Sequence, residues 1–315
     1  MKNVKMKYIV FICLLVAALS AVAQDIKLPL EIKRGHLSSV WTLDEGVETR
    51  VFLESAFPKI VFDETFVNEK LRPLGLHITE APENVKIRLW GDQEPHKVTY
   101  LIEDSLCMNG RKLAIDALVM DFSKKPSWSG YDMVFPVSDL EGRIELNIRE
   151  AYMRVLDDTD ISLKGFTAYE MSYSEDTKGL YFDATMTCYD AKGGKEELSG
   201  RFLFDLGSGS AFVVNKNRPE VTDFVERTRR MWLDPSKYKP MPHLDLTVIR
   251  PEKIQVKNIE VEGSFVAAMK IASTANSDPY VGIIGNRFFE MVIILFDFEN
   301  NKVYIKSNSS QVKVR

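Results

Sequence analysis

The chain has 315 residues, 45% apolar and 27% charged, with 17 glycines, 13 prolines and a formal charge of -4. That composition excludes collagen-like, disordered and multi-span membrane classes, and the length leaves material for two domains or two similar lobes. No basic arm or stripe occurs, which argues against nucleic acid as a partner.

The chain opens with Lys2, Lys5 and Lys7, then an apolar run from Tyr8 to Ala18 that is short for a membrane span. Ala21-Val22-Ala23 follows, with small residues at the -3 and -1 positions of a signal-peptidase site. Residues 1–23 therefore read as a cleaved secretory signal with Gln24 as the mature N-terminus, and the product as exported, periplasmic or secreted, with no membrane attachment after cleavage. Phe11 and Ile12 ahead of Cys13 are too large for a lipoprotein box. Losing three lysines and no acids takes the charge from -4 to -7. Only Cys107 and Cys188 remain, with no CxxC or metal spacing, and they read as buried, unreactive thiols, although export would permit one bridge.

The mature chain is β-rich, with short Val, Ile, Phe, Tyr and Leu runs broken by turn residues. Asp63 to Leu71 has helical pattern. Lys86 to Trp90, a turn at Gly91-Asp92-Gln93-Glu94-Pro95, and Lys97 to Ile102 predict a hairpin; Leu180 to Tyr189 with Glu197 to Phe204 predict another across Gly193-Gly194. A helix is expected from Val221 to Trp232, started by Pro219-Glu220 and ended near Pro235. The acidic run Asp157-Asp158-Thr159-Asp160 lacks the Gly and later Glu of an EF-hand and reads as a solvated linker.

An internal repeat crosses that linker. Arg50-Val51-Phe52-Leu53-Glu54-Ser55-Ala56 aligns with Arg201-Phe202-Leu203-Phe204-Asp205-Leu206-Gly207 at an offset of 151, and Ile144 to Ile148 aligns with Ile294 to Phe298 at 150. Lobes of residues 24–160 and 161–315 follow. An acid at the end of a buried strand, followed by a small-residue turn, holds a carboxylate at the floor of a cleft. Two such turns facing one another would set two carboxylates side by side, where one keeps its proton and the other acts as base toward a shared water.

Phe204-Asp205-Leu206-Gly207-Ser208-Gly209-Ser210 resembles the Asp-Thr-Gly-Ser turn of pepsin-like and retropepsin-like aspartic peptidases. Val281-Gly282-Ile283-Ile284-Gly285-Asn286-Arg287-Phe288-Phe289 resembles that family's apolar-apolar-Gly signature, with Val292 to Phe298 and Lys302 to Ile305 as closing strands. The resemblance implies an all-β, bilobal pepsin-like (acid protease) fold in one monomeric chain, a peptide or protein as substrate or ligand, and no cofactor. It implies Asp205 as the principal carboxylate and Glu54 as its atypical partner, with Ser55, Ala56, Leu206, Gly207 and Ser208 supporting the acid turns and Ile283, Ile284 and Gly285 behind them. The family's flap carries an aromatic residue, for which Trp90 or Tyr100 is available; both also suit packing against the lobe.

Several positions depart from the pattern. Leu206 replaces the family's hydroxyl residue, Glu54 carries an extra methylene, and Ala56 adopts positive φ less freely than Gly. Met133-Val134-Phe135-Pro136 stands where lobe one would have the apolar-apolar-Gly element. A shift of about 1 Å in a reacting group can cost on the order of a hundredfold in rate, and Glu for Asp shifts a carboxylate by about that much. Peptide-bond hydrolysis by Asp205 and Glu54 and its alternative, an inactive descendant that binds an extended peptide or protein in the same cleft, both remain open. His36, His77, His96 and His243 show no ligand spacing, so no metal is expected; Gly207-Ser208-Gly209-Ser210 lacks the Lys-Ser/Thr of a phosphate loop; no GxSxG elbow occurs.

Overall fold

The computed structural model describes residues 26–33, 35–87, 89, 94–140, 142–156, 162–174, 179–231, 245–271, 280–308 and 312–314. The predicted leader, Trp90 and the Asp157–Asp160 run lie outside them. Among the described residues strands dominate, in three large sheets.

Two of the sheets repeat one plan. In the first, the antiparallel pair His36–Thr42 and Glu48–Glu54 leads into the turn at residues 55–59, and Ile60–Asp63 returns from it. Met133–Pro136 inserts between the strands on either side of that turn, parallel to Glu48–Glu54 and antiparallel to Ile60–Asp63. In the second, Gly179–Tyr189 and Lys195–Phe204 lead into the turn at residues 205–211, Phe212–Asn215 returns, and Gly282–Ile284 inserts with the same two polarities. The turn must therefore pass over the end of the inserted strand. This gives each acid a fixed seat, which a simple hairpin would not.

The third sheet joins the two. Its order is Ile26–Pro29, Tyr152–Leu156, Arg143–Asn147, Val292–Asp297, Lys302–Ser307, Thr167–Glu170, so three strands come from each half. Glu145 lies opposite Leu295 in the central antiparallel pair. Those residues are also 150 apart, the offset of the repeat, as expected where a twofold axis passes between equivalent positions. Arg143 Nε donates to Asp297 Oδ2 at 2.9 Å across the same pair, and Asp297 is buried.

Burial explains the strand sequences. Along Glu48–Glu54, Glu48 and Arg50 alternate with buried Thr49 and Val51, after which Phe52 and Leu53 are both covered as the strand enters the interior. Val51 and Leu53 face the main core; Phe52 faces the opposite side with Glu54. In lobe two, Phe204 packs against Phe182, Phe289 and Phe296 at centroid distances of 5.6, 4.0 and 5.5 Å, directly behind Asp205. Phe204→Ala is expected to cost about 3–5 kcal/mol of stability, measured by denaturant unfolding, because the ring is wholly buried among partners that cannot collapse far.

Both predicted hairpins occur, with differences. Gly179–Tyr189 and Lys195–Phe204 pair in full. In the other, among the described residues, only Lys86–Ile87 and His96–Lys97 pair, and Tyr100 begins a separate long strand, Tyr100–Met108, joined to Arg111–Met120. The first helix is divided into Glu64–Phe66, a wider turn over Val67–Leu71 and a tight turn over Arg72–Leu74, ending at Gly75 in the left-handed conformation. Asp63 caps it, accepting from the amides of Thr65 and Phe66. The helix expected to reach Trp232 covers Pro219–Arg227 and stops at Thr228, which bridges to Asp190 and so leaves helical geometry. Cys107 and Cys188 are free, Cys188 is buried, and burial pushes its thiol up to about 12. Among the described residues no helix is long and apolar enough to cross a membrane.

Candidate functional site

Glu54 is the last residue of its strand, Asp205 follows the last residue of the equivalent one, and the two meet between the halves with their carboxyl groups hydrogen-bonded to each other. The space between them is tight. A methyl group on Gly207 would lie 2.4 Å from Glu54 Oε2, 3.0 Å from Asp205 Oδ1 and 3.1 Å from Phe52 Cζ. Gly207 is required for that room. Its φ is not positive, nor is that of Ala56, so left-handed conformation, expected to separate glycine from alanine in the two turns, plays no part.

Each carboxyl is oriented by amides of its own turn. Asp205 Oδ1 accepts from Gly207 N at 2.7 Å, and the Ser208 backbone also lowers its pKa by hydrogen bonding. The support expected from Ser208 comes through its backbone. Glu54 Oε1 accepts from Ser55 N at 2.9 Å and Ala56 N at 3.3 Å, leaving Oε2 toward Asp205. The extra methylene of Glu54 is thus taken up by folding the carboxyl back onto two successive amides.

Ser55 ties the halves together. Its Oγ donates to Phe204 O at 2.9 Å and accepts from Leu206 N at 3.0 Å. Ser55 is 5% exposed and Leu206 not at all, and Leu206 belongs to the apolar core, so the tie runs one way. Ser55→Ala would leave one buried N–H and one buried C=O unpaired at the interface. A loss of about 1–3 kcal/mol in stability is expected, measured by urea unfolding.

The signature supports the second turn from behind. Asp205 N donates to Ile284 O at 2.9 Å, Gly285 N to Ala211 O at 3.0 Å and Asn286 N to Ser208 O at 2.8 Å. A Cβ on Gly285 would strike Ser210 O at 2.4 Å and Ser208 O at 2.6 Å, so the approach needs glycine. Ile283 and Ile284 are buried on opposite faces, Ile283 toward the cleft cluster and Ile284 toward the core. In lobe one Pro136 lies opposite Glu54 in the corresponding place and opens the short turn Val137–Asp139.

Burial raises the pKa of Glu54 well above the usual glutamate range, with the neighbouring Asp205 charge and the shared hydrogen bond adding to it and the Ser55 and Ala56 amides opposing. Burial also raises Asp205, against the hydrogen bonds from Glu54, Gly207 and Ser208. The shared proton therefore sits on Glu54, the more strongly raised acid, which donates to Asp205.

The walls beside the pair are apolar and unequal. On lobe one, Phe52, Leu89, Phe122, Trp128, Tyr131 and Val134 form a buried cluster with Phe57 and Ile87 against it, and His36 lies 4.4 Å from the Phe52 ring. On lobe two, Val213, Ile271, Tyr280 and Ile283 are buried while Leu203, Ala267 and Met269 stay partly exposed. Ile87 and Leu89 bring the short hairpin to the aromatic cluster. Tyr100 does not belong there: it packs against the main core with the Arg72 guanidinium 4.6 Å over its ring, which leaves it as a lobe residue and not a flap aromatic. A separate depression of about 650 Å³, lined by Arg50, Asp63, Asp121 and Asp132 among others, includes neither acid. Two of its carboxylates are engaged, Asp132 with Arg50 and Asp63 with the amides of Thr65, Phe66 and Phe122.

Sequence reasoning gave no role of their own to Phe52, Gly35, Gly209 or Asn286. Gly35 and Gly209 touch backbone to backbone across the halves, a Cβ on Gly209 lying 3.0 Å from Gly35 Cα, and Asn286 Nδ2 donates to Gly35 O at 2.9 Å. The available signal was the glycine of Gly207-Ser208-Gly209, which says that something approaches closely but not what.

No family model matches the chain, and no curated protein matches it. Among solved structures it is similar to the aspartic proteinase from Irpex lacteus, with a TM-score of 0.57 and 8% identity, over 91% of this chain and 98% of that one. At that identity the likeness is one of architecture. The chain has the bilobal, pepsin-like β fold of that proteinase.

Proposed function

We propose that this protein hydrolyses peptide bonds with Glu54 and Asp205 as its catalytic pair. One observation carries the reading: two half-buried carboxyls from equivalent turns share a hydrogen bond between the halves, each pinned by amides of its own turn. Asp205, ionised, takes a proton from a water held at the pair; the water attacks the scissile carbonyl, and neutral Glu54 donates to its oxygen; the protonated Asp205 then supplies the leaving amine as the C–N bond breaks, and one diol hydroxyl returns its proton to Glu54. Both acids come from one chain, so the unit is a monomer. The partly exposed Leu203, Ala267 and Met269 favour an extended peptide with an apolar side chain toward lobe two. The basic start and apolar run within residues 1–23 support export as the setting of the reaction.

The test is cleavage of a broad peptide library by the mature chain across acidic to neutral pH. Cleavage that disappears in Asp205→Asn supports the reading; cleavage that survives it, or none under any condition, overturns it. A second reading, binding of a peptide without cleavage, is favoured by Leu206, which leaves the tie between the turns one-sided. Saturable peptide binding with no turnover would select it.

A further inference from the structure

The two departures at the acid turns, Glu54 and Leu206, stand at different places in the sequence and each would disturb the site alone. In the structure they meet at one amide. The four backbone and side-chain groups around them show an exchange of partners. In lobe two, the amide of the middle residue, Leu206 N, is satisfied across the interface by Ser55 Oγ, so Asp205 reaches past it to the amides of Gly207 and Ser208. In lobe one the equivalent amide is Ser55 N. A residue like Ser55 at position 206 would satisfy it in the same way, but Leu206 has no oxygen. Glu54 Oε1 fills the vacancy by taking Ser55 N at 2.9 Å as well as Ala56 N at 3.3 Å. A shorter carboxylate placed as Asp205 is, accepting from the amide two residues on, would leave Ser55 N unpaired in a buried interface.

We infer that Glu54 and Leu206 are a compensating pair, the longer acid replacing the hydrogen bond that the missing hydroxyl would have accepted, so that Leu206 is a positioning residue for the Glu54 carboxyl. The extra methylene is then what allows an apolar residue at 206 to coexist with a seated acid pair. Its folding consequences stand without the proposed hydrolysis; its activity consequence rests on that reading.

The test is a double-mutant cycle on the full mature chain, read by melting temperature. Glu54→Asp alone is expected to lower it by roughly 2–8 °C, because Ser55 N loses its acceptor. Leu206→Thr alone is expected to lower it also, since its buried hydroxyl meets an amide already engaged. Combined, E54D and L206T should lose less than the sum of the two, with the Thr hydroxyl accepting from Ser55 N and the Asp carboxylate from Ala56 N. E54D with Leu206→Val, which has the shape of Thr without the oxygen, should show no such recovery. Losses that add, or recovery by Val equal to that by Thr, would overturn the inference. If E54D does not fold, folding of the E54D/L206T chain supports it and failure of both overturns it. Where wild type cleaves peptide, kcat lost in E54D should return with L206T while KM stays put. Recovery of melting temperature in a chain that never cleaves would leave the inference standing and sink the hydrolysis reading.

Discussion

Asp205→Asn is expected to reduce peptide cleavage by about 10²–10⁴-fold or more while leaving the fold intact. The amide oxygen of Asn can still accept from Gly207 N, which seats the present Oδ1, and its NH2 can donate to Glu54. What is lost is the base. With an amide beside it, Glu54 also loses the neighbouring negative charge that helps to raise its pKa. The substitution therefore separates geometry from proton transfer: circular dichroism and melting should stay near wild type while turnover disappears. Equal loss of both would mean that the carboxylate serves the fold, and the pair would not be a catalytic one.

Glu54→Gln is expected to make the chain more stable than wild type toward neutral and higher pH and to remove much of the pH dependence of its unfolding. Glu54 has its folded pKa well above the unfolded value of about 4.3. The folded state consequently holds a proton that the unfolded chain has released. The stability linked to that proton is fully present below the unfolded value and is lost as pH rises through the folded one, at up to about 1.4 kcal/mol per pH unit. Gln copies the protonated acid: its oxygen accepts from Ser55 N and Ala56 N and its NH2 donates to Asp205. Urea unfolding at a series of pH values reads the slope directly. A Gln variant with the wild-type slope would show that Glu54 is not the group holding the proton. Asp205 is raised in the same direction, so a shallower slope of the same sign is expected to persist in Glu54→Gln.

These two experiments rest on features of unequal legibility. The Asp205 turn and the Ile283-Ile284-Gly285 signature could be read from the chain because each is a short run whose small residues are demanded by contacts close by: Gly207 by the two carboxyls, Gly285 by the backbone of Ser208 and Ser210. The repeat at 150 to 151 residues was legible for the same reason, since equivalent strands need equivalent apolar runs. Read by local rules, Glu54 and Leu206 were two separate defects. Their relation needs Ser55 placed against Phe204 and Leu206, 149 and 151 residues away, and no local rule reports that.

The amino-acid sequence by itself determined the β-rich repeat, the strand that delivers each acid and the room around the second turn, because these follow from apolar periodicity and from glycines that tolerate no Cβ. Only the tertiary structure decided that Tyr100 faces Arg72 in the lobe, that Phe52 reaches the acids and that Glu54 answers for Leu206. Such partners are set by how two sheets meet across an approximate twofold axis. A side chain's hydrogen-bonding capacity is written in its chemistry, but the group that satisfies it is chosen by the packing of segments far apart in the chain.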